Sequence, residues 1–387
     1  MSKIEDLIKQ HCPNGVEYDV IENICKISRG RVMSKEYLRD NIGEYPVYSS
    51  QTVNEGMLGK IDTYDYDGEY LTWTTDGANA GSIFYRTGKF SITNVCGLLK
   101  IISDKVNTKF LHYYLGTVAK KYVNAGMGNP KLMSNVMATI KVAIPPMAVQ
   151  EEIVRILDAF TELEKELEKE LEKRKQQYEY YRNKLLTFDE NTTGGGIKFM
   201  PLSEVCNFYN GKGHEKNIVN YGKYIVVNSK FISTEGSVKK YSNEQICPLY
   251  EDDILMVMSD LPNGKALAKC FIVPANDTYS LNQRIGRFVI KSKSMMNVRF
   301  LYYILNRNKQ LLRFDNGSDQ TNLRKDDILN IIVPIPPIEE QMRIVSILDK
   351  FDALVNDISI GLPAEINARR QQYEYYRDKL LTFEEAA

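Results

Sequence analysis

Residues 174–188 read RKQQYEYYRNKLLTF and residues 369–383 read RRQQYEYYRDKLLTF, identical at 13 of 15 positions. Two stretches that alike within one chain mark an internal duplication, and a duplication constrains the fold more than any composition figure. A second pair lies upstream, IPPMAVQEEIVRILDAF at 144–160 and IPPIEEQMRIVSILDKF at 335–351. The two pairs are offset by 195 and 191, so the second copy carries four extra residues in between. With 387 residues the chain is long enough for two domains, each burying its own core.

The repeated parts carry a helical period. After Pro145-Pro146, apolar residues recur at Ile153, Ile156, Leu157, Phe160, Leu163, Leu167 and Leu171, then Tyr178, Tyr181 and Leu185. Steps of three and four predict one amphipathic helix over roughly 148–188, about 60 Å long at ~1.5 Å per residue. In the second copy Gly361 and Pro363 are expected to break the helix into pieces near 338–359 and 363–383. Two such helices can bury their stripes against each other, most simply as an antiparallel coiled coil.

The stretches between differ in texture. Short β-branched and aromatic runs, such as Tyr45-Pro46-Val47-Tyr48 and Tyr224-Ile225-Val226-Val227, alternate with Gly, Asn, Asp and Ser turns. The segmentation is therefore a first globular domain at 1–147, a spacer helix at 148–188, a second globular domain at 189–337 and a helical region at 338–387. The class is α+β: two mixed, strand-rich domains joined by long helices, with a pseudo-twofold internal duplication. The two domains align loosely, Gly30 with Gly211, Gly126 with Gly317 and Leu132 with Leu323. They share a framework while their loops diverge, as expected of two similar readers of different things.

Charge divides along the same lines. Lys plus Arg equals Asp plus Glu at 50 each, yet the globular stretches carry 17 basic against 15 acidic and 19 against 15, and the helical ones 8 against 10 and 6 against 10. Mildly basic heads on acidic helices suit DNA on the heads and protein on the helices. The six cysteines never fall at C-x-x-C spacing and the three histidines lie far apart, so neither a zinc site nor a disulfide framework is expected. With no basic-headed apolar leader and no run of 18 uncharged apolar residues, the expectation is a soluble cytoplasmic chain.

Catalytic signatures are missing. There is no G-x-x-x-x-G-K-[S/T] loop, and Asn129-Pro130-Lys131-Leu132 has the wrong third and fourth residues for a methyltransferase Asn/Asp-Pro-Pro-aromatic element. The pair Asp252-Asp253, or Asp260 with Lys265, could be imagined as a metal-nuclease cluster, but scattered turn carboxylates are ordinarily solvated.

The QQYEYYR-[Asn/Asp]-KLLTF ends, the IPP-x-x-x-Q…IV-x-IL-D-x-F helix starts and the WTTDGANAG stretch from Trp73 to Gly81 resemble the specificity (S) subunit of Type I restriction-modification systems. The resemblance covers the whole chain. It implies two target recognition domains, each reading one half of a bipartite double-stranded DNA sequence. It further implies helices that space them and dock two methyltransferase (M) subunits, in a complex that also includes restriction (R) subunits. Such a subunit is not catalytic and carries no cofactor or metal; S-adenosylmethionine, and ATP with Mg²⁺, belong to the partners. Two other readings are an adaptor with two protein-binding heads and a fused restriction or methylation enzyme.

Base reading needs side chains with paired donors and acceptors on loops that reach a groove. In the first domain the candidates are Arg29 and Arg31 around Gly30, Ser49, Ser50 and Gln51, Thr74, Thr75, Asp76 and Asn79, and Asn129 and Lys131. In the second they are Asn210 and Lys212 around Gly211, Asn228 and Lys230, Asn263 and Lys265, Gln283 and Arg284, and Gln320 and Asn322. Many Asn and Ser positions merely make turns. Tyr178 and Tyr181, with Tyr373 and Tyr376, are the candidate partner anchors, a large apolar body carrying a polar tip. Residues 162–173 are three perfect ELEK tetrapeptides inside the spacer helix.

Overall fold

A computed structural model describes residues 2–124, 126, 128–188, 197–262, 264–356 and 361–386. The chain packs as two units: Met1–Glu170 with Ala364–Ala387, and Leu171–Pro363. The division falls inside a single 40-residue helix, Met147–Leu186. Its first part belongs to one unit and its last part to the other, and the C-terminal segment returns to the first.

The first unit is built on a six-stranded sheet ordered Cys25–Arg29, Cys96–Ile101, Tyr66–Thr74, Ile83–Ile92, Ile42–Tyr48, Met57–Ile61. The sheet's core is apolar and closely filled, with Leu71, Trp73 and Leu99 all fully buried. Glu17–Val20 pairs antiparallel with Lys141–Ile144 in a separate two-stranded ribbon. The helix Thr108–Val118 packs on the sheet's inner face, with Phe110 and Leu115 in the same core.

The second unit repeats the frame with shorter strands. A four-stranded sheet runs Cys206–Asn210, Ile285–Ile290, Ile254–Val257, Cys270–Ile272, and Lys198–Pro201 pairs antiparallel with Ile332–Ile335. The helix Val298–Leu305 takes the place of Thr108–Val118.

The main polar bonds of the framework recur in both units. Gln150, fully buried, accepts from the Asn107 amide at 2.8 Å and donates to the Lys105 and Pro145 carbonyls, each at 2.7 Å. Gln341 does the same for the Asn297 amide and the Met295 and Pro336 carbonyls. Asn107 and Asn297 each cap their helix, accepting from the amides of Phe110 and Phe300. The Tyr113 hydroxyl donates to Asp158 and the Tyr303 hydroxyl to Asp349, both at 2.6 Å. The repeated Thr-Phe ends also match: Phe188 meets Phe300 edge-on at 6.3 Å, and Phe383 meets Phe110 at 6.4 Å.

In the first unit the spanning helix pairs with Leu362–Leu380. Phe160 stacks on Tyr376 at 5.6 Å and touches Tyr373, while Arg370 bridges Glu164 and Glu168. Residue numbers rise on one helix as they fall on the other, so the pair is antiparallel. In the second unit its partner is Ile338–Asn356, where Tyr181 stacks on Phe351 at 5.6 Å. The expected break between the second-copy helices lies between Asn356 and Leu362, with 357–360 outside the described residues.

His112 sits on the sheet-facing helix of the first unit with its Nδ1 shut off from solvent and without a partner. Burial first, then the positive charges of Arg86 and Lys109, against the pull of Asp158, hold its imidazole down at about 4. Between pH 6.5 and 4 the unfolded chain binds a proton that the folded one refuses. Stability is therefore expected to fall as pH drops through that window, by at most about 3 kcal/mol. Urea unfolding across this range checks it; His112→Phe should flatten that slope, and an unchanged slope would remove the histidine from the account.

Candidate nucleic-acid interface

In both units the strand carrying the first candidates is followed by a glycine pressed on a neighbouring backbone. A Cβ on Gly30 would lie 2.0 Å from the Ile92 carbonyl oxygen, and one on Gly211 1.9 Å from that of Asn282. Only glycine permits that approach. It lets the next residues form bridges, Arg31 with Thr93 and Lys212 with Asn282, so the loops are locked at the same place in both units.

The first unit gathers its candidates around Asp76. Arg29 donates to the Thr75 hydroxyl at 2.7 Å and lies 3.7 Å from Asp76, which Lys131 also approaches at 3.7 Å. Asp76 and Lys131 form a backbone bridge, and the Leu132 amide donates to the Thr75 carbonyl at 2.9 Å. Nearby, Thr93 donates to the Ser49 hydroxyl at 2.9 Å, and Asn79 to that of Thr52 at 3.2 Å. Arg31 stands at the margin with Asp65 at 3.0 Å and its guanidinium over Tyr37. Hydrogen bonds to Tyr37 and then Asp65 raise its pKa, so it stays charged.

The second unit assembles equivalent loops with other side chains. Ser259–Asp260 pairs with Thr321–Asn322, and the Leu323 amide donates to the Met258 carbonyl at 2.8 Å, the counterpart of Leu132 on Thr75. Gln320 donates to the Ser259 hydroxyl at 2.7 Å and Gln283 to Glu215 at 2.8 Å. Asn210, Lys212 and Arg284 are exposed, Arg284 in a left-handed backbone at φ 65°.

Several candidates have other work. Thr75 is fully buried, its hydroxyl engaged by Arg29 and donating to Asp76, so it supports the loop and cannot itself meet a groove. Gln51 donates its amide to the Met57 carbonyl and Ser50 is half-buried. Asn228 caps Ser229–Ser233 through the Phe231 amide at 2.8 Å, leaving Lys230 exposed on that helix. Asn129 and Lys265 are exposed on loops, and Asn263 lies outside the described residues. Asp260 accepts from the Ala266 and Leu267 amides and so organises its own turn; among the described residues no cluster of His, Cys, Asp or Glu could hold a metal.

The tyrosine expectation changes most. Tyr178 is buried in the second core, Tyr181 stacks on Phe351, and Tyr373 and Tyr376 pack around Phe160. Helical spacing puts these residues on the seam, where the chain's own side chains meet them, although Tyr181 remains 37% exposed. Their neighbours Tyr180 and Tyr375 are outside it, 61% and 63% exposed, each edge-on to the next tyrosine at 5.3 Å. Sequence reading named Asp76 as a candidate without its place between Arg29 and Lys131, and missed His214, wholly buried and bonded to Ser280 at 2.7 Å beneath the Lys212 loop. A lone His carries no period or spacing by which to find it.

No described helix is long and apolar enough to cross a membrane. The model of the Type I restriction modification DNA specificity domain matches residues 13–173 and again 195–368. A Mycoplasma pneumoniae protein described as type I specificity subunit S.MpnORF507P is 33% identical over 371 residues, covering 93% of this chain and 96% of its own. The specificity subunit of the M. pneumoniae type I restriction enzyme MpnII is 46% identical over 172 residues, 43% of this chain and 52% of its own. The S subunit of a Type I restriction-modification system from M. genitalium shares the fold at a TM-score of 0.57 and 15% identity, over 95% of this chain and 96% of that one. With two matched domains, a full-length relative and the same framework bonds twice over, the chain belongs to the Type I restriction-modification specificity subunits, with two recognition domains.

Proposed function

We propose that each unit reads one half of a bipartite double-stranded DNA target, and that two methyltransferase subunits dock on the duplicated helices, with restriction subunits completing the complex. One observation carries this: bonds of the framework recur between the units, while the side chains on the equivalent loops differ, Arg29, Asp76 and Lys131 in one against Asn210, Ser259 and Asn322 in the other. That is the pattern of one reader used twice for two sequences. Methyl transfer with S-adenosylmethionine, and ATP- and Mg²⁺-dependent cleavage, fall to the partner subunits.

For docking we favour Tyr180 and Tyr375 over the four seam tyrosines. They sit at equivalent places in near-identical sequence, which suits two identical partners. One reconstitution with the methyltransferase subunit separates the two roles. Tyr180→Ala with Tyr375→Ala should weaken assembly on gel filtration by about 10-fold or more and leave both units folded. Arg29→Ala with Lys131→Ala should leave assembly intact and lower DNA affinity, with a shallower dependence of log affinity on log salt. Full assembly by the tyrosine variant would return these residues to the free surface; unaltered DNA binding by the other would remove this loop cluster from the interface.

A further inference from the structure

Arg86, on the strand Ile83–Ile92, is 4% exposed and has no carboxylate at ion-pair distance among the described residues. Its Nε donates to the Thr72 hydroxyl at 3.2 Å, and another nitrogen donates to the Glu55 carbonyl. Its guanidinium lies 3.6 Å from the centre of the Tyr48 ring and 4.6 Å from that of Phe84. Burying a charge without an opposite one is costly, and such costs concentrate where an element must be held in one shape for function.

What it holds is the tip 52–56. Asn54, Glu55 and Gly56 are left-handed in succession, at φ 57°, 53° and 84°, a conformation that Asn adopts readily and Glu does not. The tip is closed by the Ser49 amide on the Gly56 carbonyl at 2.9 Å, and tied sideways to the candidate loop through Asn79 and Thr52. Thr52 to Glu55 are exposed, Val53 at 78%. Packing gives no reason for an apolar side chain at that position.

We propose that this tip is the base-reading finger of the first unit and that it recognises an A·T pair. Asn54 presents its amide to the N6–N7 edge of adenine, and Val53 meets the thymine methyl. Arg86 is a positioning residue that fixes the finger from below. The inference rests on the DNA-reading function proposed above and deepens it, by assigning residues that lie outside the polar candidates legible in the sequence.

The test uses the full chain assembled with its methyltransferase subunits, and measures methylation across DNA with every base varied in both half-sites. Asn54→Ala should reduce discrimination at one A·T position of the first half-site by about 10- to 100-fold, leaving the second half-site unchanged. Arg86→Lys keeps the charge but loses the fork; it should relax the same position, and adding Asn54→Ala should cost little more, since both act through one contact. Thermal unfolding of each variant accompanies the measurement. Loss of discrimination at that one base in a folded Arg86→Lys complex is an effect that a merely structural arginine would not produce. Unchanged discrimination in Asn54→Ala, or a uniform loss over all sequences, overturns the finger while the second half-site still reports a working reader. If neither half-site shows any preference in the unaltered complex, the reading function itself fails.

Discussion

Gln150→Ala is expected to destabilise the first unit by about 3–5 kcal/mol, and Gln341→Ala the second by a similar amount. Each side chain is wholly enclosed and makes three hydrogen bonds to main chain. Truncation strands one buried amide N–H and two carbonyls, each worth about 1–3 kcal/mol when left unpaired where water cannot reach. The three groups come from the helix-capping residue, the loop just before it and the Pro-Pro segment, so the glutamine joins the long helix to its globular domain. Glutamate is a sharper probe than alanine: it would aim a second oxygen at the two carbonyls that now receive a donor. Urea unfolding, with each unit followed by its own probe, checks both the size and the locality of the effect. A loss under about 1 kcal/mol from both substitutions would mean that the bonds are easily replaced by water.

Removing Glu166–Lys169 is expected to shorten the unspecified gap in the DNA target by about one base pair, leaving both half-sites unchanged. In a helix four residues advance about 6 Å and turn about 400°, a net rotation of roughly 40°, while a base pair turns about 34–36°. The structure adds a reason why the helix can tolerate the change. Arg370 grips Glu164 and Glu168, the third residues of two successive ELEK units. After the deletion Glu170 follows Lys165, and Glu172 takes the place of Glu168, so the clamp keeps both carboxylates and Leu171 replaces Leu167 on the apolar stripe. Deleting three residues instead would break both patterns, and should impair assembly. Sequencing the methylated sites of a strain carrying the four-residue deletion decides it, an unchanged gap at full activity being the result that sinks the ruler.

The long elements were legible because they are periodic. Apolar steps from Ile153 to Leu185 predict a helix over 148–188, and it runs from Met147 to Leu186. Gly361 and Pro363 predict a break, and Leu362–Leu380 begins there; Pro363 is accommodated because it falls in the first turn, where a missing amide hydrogen leaves no bond unmade. Arg29, Lys131 and Lys212 were found among the loops because charged side chains beside glycine turns are conspicuous. Thr75 and Asn228 were misread for a common reason: a polar side chain in a turn looks alike whether it faces solvent, caps a helix or supports a neighbour.

By itself the sequence determined that there are two copies of one plan, with matched helices, divergent loops and heads more basic than the helices, since duplication, period and charge are properties of residue order. Only the tertiary structure decided which tyrosines are free, that Asp76 is the hub of the first loop cluster, and that Arg86 sits beneath the finger at 52–56. It also decided that the last residues complete the first unit, the Val16 amide donating to the Glu384 carbonyl and the Ala386 amide to that of Val16, each at 2.9 Å. These facts join residues up to about 370 positions apart, and no local pattern records such a meeting; they follow from which surfaces are buried together when each helix stripe and sheet face finds its partner.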